Sequence, residues 1–255
     1  MLQGKTMLVT GATSGIGAAI AKAAAEAGAK LLLCGRSEER GDAIRRACGP
    51  DTVFVAGDLA EPGAADRLVG AAVAAFGRLD VAVNNAGIIY RGTVETTTDE
   101  EWAHTLAVNV TGVFQMCRAA VRQMKRQGHG TIVNIGSDWS LVGGANAFAY
   151  CASKGAVAQM TRAMAIDHAR DKIRVNCVCP GDIDTPMLAS MFAADGMTHA
   201  EGLAALGAGI PMGRVGRPEE IAKATVFLAS DASSDRKSTR LNSSHIQKSR
   251  MPSSA

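Results

Sequence analysis

The stretch VTGATSGIGAAI, from Val9 to Ile20, joins an apolar run to an alanine-rich run through three closely spaced glycines, Gly11, Gly15 and Gly17. In dinucleotide-binding sheets such glycines allow a tight strand-to-helix turn, let the backbone approach a pyrophosphate and let the helix pack on the sheet. A turn built only for packing would contain the same glycines. Because this turn follows the first predicted strand, we favour nucleotide binding.

The rest of the chain alternates short aliphatic runs with helical stretches. Strands are predicted at 5–10, 30–34, 52–56, 79–84, 130–135 and 173–179, and helices near 15–27, 37–48, 62–76, 99–127, 148–170 and 218–229. The strands are nearly continuous apolar runs, as expected when helices cover both faces of a parallel sheet. The alternation therefore predicts an α/β fold with a doubly wound parallel sheet in three α/β/α layers. Such sheets bind ligands at the carboxyl ends of their strands.

Charge and hydropathy exclude several classes of protein. Residues 235–255 hold five of the 27 Lys/Arg and one of the 24 Asp/Glu, so the remainder has 22 basic and 23 acidic residues. This main body lacks the basic excess that nucleic-acid binding needs. The sequence shows no signal peptide and no apolar run of membrane-spanning length, so we expect a cytoplasmic protein without a membrane partner.

The six cysteines show neither disulfide nor zinc spacing, which predicts free thiols and no metal site. Two of them, Cys177 and Cys179, lie two residues apart in a predicted strand. Residues at that spacing share one face of the strand, and we expect the two thiols to be poorly placed to pair.

The second predicted strand ends in LLLCGR, which places Arg36 where sheets that prefer NAD usually have a carboxylate for the ribose hydroxyls. An arginine can instead form paired hydrogen bonds with a 2′-phosphate. A solvated arginine at the start of a helix is the plainer interpretation. We predict NADP as the cofactor, with NAD as the alternative.

Five further motifs follow the glycine turn in a fixed order. They are NNAG (84–87), VNVTG (108–112), IGS (135–137), YCASK (150–154) and RVNCVCPGDIDTPM (174–187). The ordered set resembles the short-chain dehydrogenase/reductase family, in its compact branch that includes 3-oxoacyl-(acyl carrier protein) reductases. The resemblance runs from about Lys5 to Ser234. It implies one Rossmann-type domain over 1–234 with a substrate lid near 187–211, a small alcohol or ketone substrate, and assembly of the native full-length form as a homodimer or homotetramer.

The resemblance also implies roles for individual residues. Tyr150 would exchange a proton with the substrate oxygen, Lys154 would hold the nicotinamide ribose, and Ser137 would hydrogen-bond the reacting oxygen. Asn109 would help to order a water relay to Lys154, and Asp58 would contact the adenine. The implied cofactor-binding residues are Gly11, Thr13, Ser14, Gly15, Ile16, Gly17, Arg36, Asp58, Leu59, Asn85, Ala86, Gly87, Tyr150, Lys154, Pro180, Gly181, Ile183 and Thr185.

Tyr150 and Lys154 are four residues apart in a predicted helix, so they share one face of it. An ammonium about 5 Å from the phenolate would favour it by about 3 kcal/mol at an effective dielectric of about 20. The tyrosine pKa would then fall by about two units, close enough to neutrality for general acid/base catalysis.

These residues predict hydride transfer between nicotinamide and a carbinol carbon. A 3-oxoacyl thioester and small ketones, sugars or cyclic alcohols all fit as substrates. The alternative is a cofactor-sensing protein without turnover, although such relatives often lose the tyrosine or the lysine, and this chain has both.

Two regions depart from the usual family pattern. Trp139, two residues after Ser137, either lines the substrate pocket or packs against the sheet edge, and Tyr90 and Arg91 are predicted near the pocket. Residues 235–255 are too polar for the family's final buried strand, because only Leu241, Ile246, Met251 and Ala255 are apolar. A nucleotide sequence encoding DRKSTRLNSSH matches a common sequencing adapter. We therefore predict a non-native tail and a missing final strand, with an unusual natural tail as the alternative.

Overall fold

The computed structural model describes residues 1–236, and most of the predicted non-native tail, 237–255, lies outside the described residues. The strands are β1 (Thr6–Thr10), β2 (Lys30–Gly35), β3 (Thr52–Ala56), β4 (Val81–Asn84), β5 (Gly130–Ile135) and β6 (Ile173–Val178). All six form one parallel sheet in the order β3-β2-β1-β4-β5-β6. The predicted doubly wound fold is confirmed, and within residues 1–236 no seventh strand pairs with β6.

Helices cover both faces of the sheet. They are α1 (Gly15–Glu26), α2 (Glu38–Cys48), α3 (Ala64–Phe76), α4 (Asp99–Leu106), α5 (Val113–Gln127), α6 (Phe148–Asp167), α7 (Pro186–Ala194), α8 (His199–Gly209) and α9 (Pro218–Ala229). Because side chains alternate along a strand, Leu8 and Leu32 pack in the core below α3, α5 and α6. Met7 and Leu31 pack in the opposite core, below α1, α2 and α9.

The helical stretch predicted near 99–127 has these bounds in the structure, but it is not α-helical throughout. The chain forms α4, a π-helical segment at Ala107–Gly112, and then α5. A π-helical turn widens the helix locally and is frequent at functional sites. This one contains Asn109, whose side chain is completely buried. Sequence periodicity missed the segment because apolar residues continue through it.

The predicted lid near 187–211 consists of α7 and α8. They form a small apolar cluster of their own around Leu188, Phe192 and Val215, separate from the two main cores. A Cβ on Gly202 would lie 2.3 Å from the Phe192 ring, so the two helices pack closely at this glycine. The segment predicted as a lid is therefore a distinct packing unit beside the carboxyl end of the sheet.

The position of the functional site follows from the strand order. The chain continues from β1 outward to β2 and β3, and then returns to place β4 on the other side of β1. Connections therefore diverge between β1 and β4, which opens a crevice at the carboxyl ends of these strands. The first glycine turn and the NNAG motif lie at this crevice.

Candidate active site

A cavity of about 300 Å³ occupies the crevice at the carboxyl end of the sheet. Of the residues that sequence analysis assigned to the site, all except Gly17 and Asn109 line this cavity. Gly17 lies behind the wall, where a Cβ would be 2.1 Å from the Gly11 carbonyl oxygen. Asn109 is likewise buried behind the wall, next to Ile88.

The first turn and the NNAG motif are tied together by hydrogen bonds. The Asn85 Nδ2 group donates to the carbonyl oxygens of Thr10 and Gly11, each at 3.1 Å. The Thr10 hydroxyl accepts from the backbone N–H groups of Asn85 and Ala86. Because Gly11 has φ +63° and a Cβ there would lie 2.8 Å from the Ala86 Cα, only glycine fits this contact.

The residues around this turn fit a dinucleotide. No side chain caps the N-terminus of α1, so the N–H groups of its first turn are available to a phosphate. Further along the cavity, Gly35 packs closely against Thr13. A Cβ on Gly35 would lie 2.4 Å from the Thr13 methyl group, so a side chain at this position would not fit. Exposed Arg36 lines the far end of the cavity together with Asp58, and it makes no ion pair within residues 1–236.

The catalytic end of the cavity contains buried polar groups. Lys154 is 5% exposed, and its Nζ atom donates to the Ile135 carbonyl oxygen at 2.8 Å. That Nζ atom lies 5.6 Å from the centroid of the Tyr150 ring. Asn109 donates through Nδ2 to the Ile88 carbonyl at 2.8 Å and to the Ser153 hydroxyl at 3.1 Å. The π-helical segment thus braces the loop after β4 against α6.

Burial controls the two pKa values at this end. Burial lowers the pKa of Lys154 to about 8. Burial raises the pKa of Tyr150 to about 12, the hydrogen bond with Ser137 opposes this rise, and the negative charge of Asp138 adds to it. The expectation that the tyrosine pKa falls toward neutrality is therefore wrong for the ligand-free protein. The loss of water around the phenolate is the largest cause of the raised pKa.

The structure resolves the open question about Trp139 and corrects two other expectations. Trp139 lines the cavity, edge-on to Tyr150 with ring centroids 5.9 Å apart. Tyr90 and Arg91 do not line it, and the Tyr90 hydroxyl instead contacts His104 Nδ1 at 2.9 Å. The apolar side chains that do face the cavity include Ile88, Ile89, Met187, Leu188 and Met191.

Two features of the strand ends were not expected. The sulfur atoms of Cys177 and Cys179 are 3.7 Å apart, so the two thiols are close enough to interact. Asp138 lines the cavity and accepts a hydrogen bond from the Ser137 hydroxyl at 2.8 Å. The only sequence signal for this contact was an acidic residue directly after the serine. No cluster that could hold a metal ion, and no helix long and apolar enough to cross a membrane, is found among residues 1–236.

The glycine turn lies at the switch point of a parallel sheet, and a serine, a tyrosine and a lysine lie at the same carboxyl end of the strands. This arrangement defines the class of nicotinamide-dependent oxidoreductases. The family model described as "Enoyl-(Acyl carrier protein) reductase" matches residues 11–238. The chain belongs to the short-chain dehydrogenase/reductase family. The protein is therefore an NAD(P)-dependent oxidoreductase that acts on alcohols or ketones, as the motifs predicted.

Three relatives illustrate this similarity. The chain is 42% identical to an "Uncharacterized oxidoreductase" of Thermotoga maritima, over 90% of this chain and 91% of that protein. It is 40% identical to the "NADP-dependent (R)-specific alcohol dehydrogenase" of Lentilactobacillus kefiri, over 91% of this chain and 92% of that protein. Among solved structures, the 3-ketoacyl-(acyl-carrier-protein) reductase from Brucella melitensis complexed with NADH aligns with a TM-score of 0.85 and 33% identity, covering 93% of this chain and 95% of that one.

Proposed function

We propose that the protein interconverts a secondary alcohol and its ketone with NADP(H), and that Tyr150 is the general acid and base. The observation that carries this proposal is that Ser137, Tyr150 and buried Lys154 line one cavity, which continues to the glycine turn. A substrate oxygen that contacts both hydroxyls would lie beside the wall formed by Pro180 and Gly181.

The chain's own residues would hold the dinucleotide along the cavity. Backbone N–H groups at the start of α1 would receive the pyrophosphate, and Asp58 and Leu59 would flank the adenine end. Lys154 would reach the nicotinamide ribose. The nicotinamide, when bound, supplies or accepts the hydride. The lining residues Ile183 and Thr185 would close the site on the side of α7.

Proton transfer depends on the ionisation of Tyr150. With a pKa of about 12, the phenol is protonated at neutral pH and is ready to donate to a ketone oxygen. For alcohol oxidation it must first lose that proton. A cationic oxidised nicotinamide beside the ring would favour the phenolate, and we expect its binding to lower the tyrosine pKa.

NADP is the cofactor we propose, because Arg36 is exposed at the cavity end with no carboxylate paired to it in the described part of the chain. A guanidinium in that state can bind a 2′-phosphate through two hydrogen bonds. The relative from Lentilactobacillus kefiri is NADP-dependent, whereas the Brucella melitensis structure contains NADH, so relatives use both.

Homodimer or homotetramer assembly belongs to the same proposal. Phe114 on α5 is 46% exposed and Phe148 at the start of α6 is 42% exposed, which favours burial of these faces against a second copy. Light scattering of the purified protein should give a mass of two or four chains. A mass of one chain at micromolar concentration would contradict this part of the proposal.

The central experiment mixes the protein with NADPH or NADH and a panel of cyclic ketones, small sugars and acetoacetyl thioesters, following the nicotinamide absorbance. The reverse reaction is followed with the matching alcohols and oxidised cofactor. We expect turnover with at least one pair and preference for NADPH. Tight nucleotide binding without turnover of any pair would instead support the cofactor-sensing alternative.

A further inference from the structure

Asp138 has a place in the active site that the proposed reaction does not yet use. Its Oδ1 atom accepts a hydrogen bond from the Ser137 hydroxyl at 2.8 Å, and the same atom accepts from the Trp139 backbone N–H at 2.8 Å. The carboxylate is therefore joined directly to the serine that would contact the substrate oxygen. This contact limits what the serine hydroxyl can offer to a ligand.

The backbone holds Asp138 in this position from two strand ends. Its N–H donates to the Pro180 carbonyl at 2.8 Å, which links the loop after β5 to the loop after β6. A single 3₁₀ turn at Asp138–Ser140 follows, and the Ser140 hydroxyl accepts from the Ser137 N–H at 3.1 Å. Ser137 itself is only 7% exposed. The serine and the carboxylate are thus held together before any ligand arrives.

The contact determines which hydrogen bonds Ser137 has left to offer. A serine hydroxyl has one proton and two lone pairs, whereas an ionised carboxylate can only accept. Because the serine proton points to Asp138, and one lone pair accepts from the Trp139 backbone N–H at 3.2 Å, the hydroxyl has only a lone pair left to offer the substrate. An alcohol can donate a proton to such an oxygen. A ketone oxygen has no proton to donate and finds no donor in Ser137.

We propose that Asp138 is a positioning residue that holds Ser137 as a hydrogen-bond acceptor, so that the active site binds an alcohol in preference to the corresponding ketone. This inference rests on the proposed function. An enzyme cannot change the equilibrium between free alcohol and free ketone. Tighter binding of the alcohol therefore shifts the equilibrium between the two enzyme-bound forms toward the bound alcohol. The effect should therefore appear as a split between the KM values of the two directions.

The first test compares the KM values for one matched pair, cyclohexanol and cyclohexanone, or the pair that turns over fastest in the panel. In Asp138→Ala the serine proton is released toward the substrate, and we expect the ratio of ketone KM to alcohol KM to fall about tenfold. That factor corresponds to one hydrogen bond. Asp138→Leu is the second variant if the alanine variant folds poorly, because it keeps a similar side-chain size and cannot accept from Ser137, so the ratio should fall in the same direction.

The matched control is Asp182→Asn. Asp182 also lines the cavity, and burial together with the charge of Asp138 raises its pKa, but it makes no hydrogen bond to Ser137. Asp182→Asn removes a neighbouring carboxylate and leaves the hydrogen bond between Ser137 and Asp138 in place. The KM ratio should therefore stay within about twofold of the parent ratio. A parent-like ratio in the Asp138 variants, or an equal fall in Asp182→Asn, would overturn the proposal.

A second test needs no turnover, which separates a failure of this inference from a failure of the proposed function. The chain has two tyrosines, so Tyr90→Phe leaves Tyr150 as the only phenol. The groups that act on Tyr150 are Ser137, Asp138 and Cys151, with Lys154 at 5.6 Å from the ring. In this background, Asp138→Asn should lower the apparent pKa of Tyr150, seen as more phenolate absorbance at about pH 11 than in Tyr90→Phe alone. An unchanged pKa would show that the carboxylate is not coupled to the catalytic hydroxyls.

Discussion

The two ends of the cavity are built in different ways. At the nucleotide end, close packing at glycines forms the wall: Gly11 lies against the Ala86 backbone, Gly15 and Gly35 lie against the side chains of Thr185 and Thr13, and Arg36 is exposed. At the catalytic end, buried polar side chains from separate elements hold one another, as Asn109 does with the Ser153 hydroxyl. Shape should therefore control binding at the first end, and proton position should control rate at the second.

The largest effect should come from the catalytic end. Tyr150→Phe removes the hydroxyl that would exchange the proton, and we expect kcat to fall about 10²- to 10⁴-fold. Nucleotide affinity, measured by fluorescence of the reduced cofactor, should change little, because the glycine turn is untouched. Tyr90→Phe is the matched control, since the Tyr90 hydroxyl contacts His104 away from the cavity. Comparable kcat values in the two variants would contradict the proposed role.

At the nucleotide end, Gly17→Ala should have the next largest effect. The new Cβ would lie 2.1 Å from the Gly11 carbonyl oxygen and 2.5 Å from Asn85 Nδ2, so the turn must move. We expect a loss of about 1–3 kcal/mol in the free energy of unfolding, together with weaker nucleotide binding. Urea denaturation and a nucleotide titration measure both quantities.

Gly70→Ala provides the control for that substitution. Gly70 lies on the exposed side of α3, and a Cβ there would meet no atom within 4 Å. Alanine favours the helix, so this variant should gain up to about 1 kcal/mol in stability. If both alanine variants showed the same stability and nucleotide affinity, close packing at the first turn would not control this end of the cavity.

A charge change at the nucleotide end should alter cofactor choice and leave catalysis intact. Arg36→Asp replaces the proposed 2′-phosphate ligand with a group that binds ribose hydroxyls, and the ratio of NADP to NAD affinity should fall at least about tenfold. Arg46→Asp makes the same charge change on exposed α2, outside the cavity lining, and should preserve the ratio. Parallel nucleotide titrations provide the measurement, and equal ratios in both variants would exclude the phosphate contact.

The last expected effect concerns pH and the burial of Lys154. Below pH 8 the lysine carries its proton in both the folded and the unfolded protein, and burial of that charge opposes folding in full. Above its folded pKa of about 8 the folded protein releases the proton, whereas the unfolded chain keeps it until about pH 10.5. Folding stability should therefore rise with pH across that window, by up to about 1.4 kcal/mol per unit.

Lys154→Met isolates this contribution, because the other titrating groups are common to both proteins. The difference in unfolding free energy between parent and variant, measured in urea at about pH 7.5, 8.5 and 9.5, should shift in favour of the parent as the pH rises. A constant difference would mean that the buried lysine keeps an ordinary pKa.

Local patterns were enough to predict most of the fold. The predicted strands at 52–56 and 130–135 and the helix at 218–229 have the bounds that the structure shows, because continuous apolar runs and helix-start signals are properties of neighbouring residues. The glycine turn was equally readable. Its residues lie within nine positions, Val9 to Gly17, and its glycines allow the tight turn, the close approach to a pyrophosphate and the close packing of the helix.

The sequence by itself determined the order of elements, the glycine turn and the set of residues that gather at one sheet edge. Only the tertiary structure decided how those residues act on one another. In the folded protein, Asn109 lies within a π-helical segment and the Tyr90 hydroxyl contacts His104. The Ser137 hydroxyl donates to Asp138, and the burial of Tyr150 raises its pKa. Periodicity reports which face of an element is covered, whereas ionisation and hydrogen bonding depend on water exclusion and on atoms distant in the chain, and these exist only after folding.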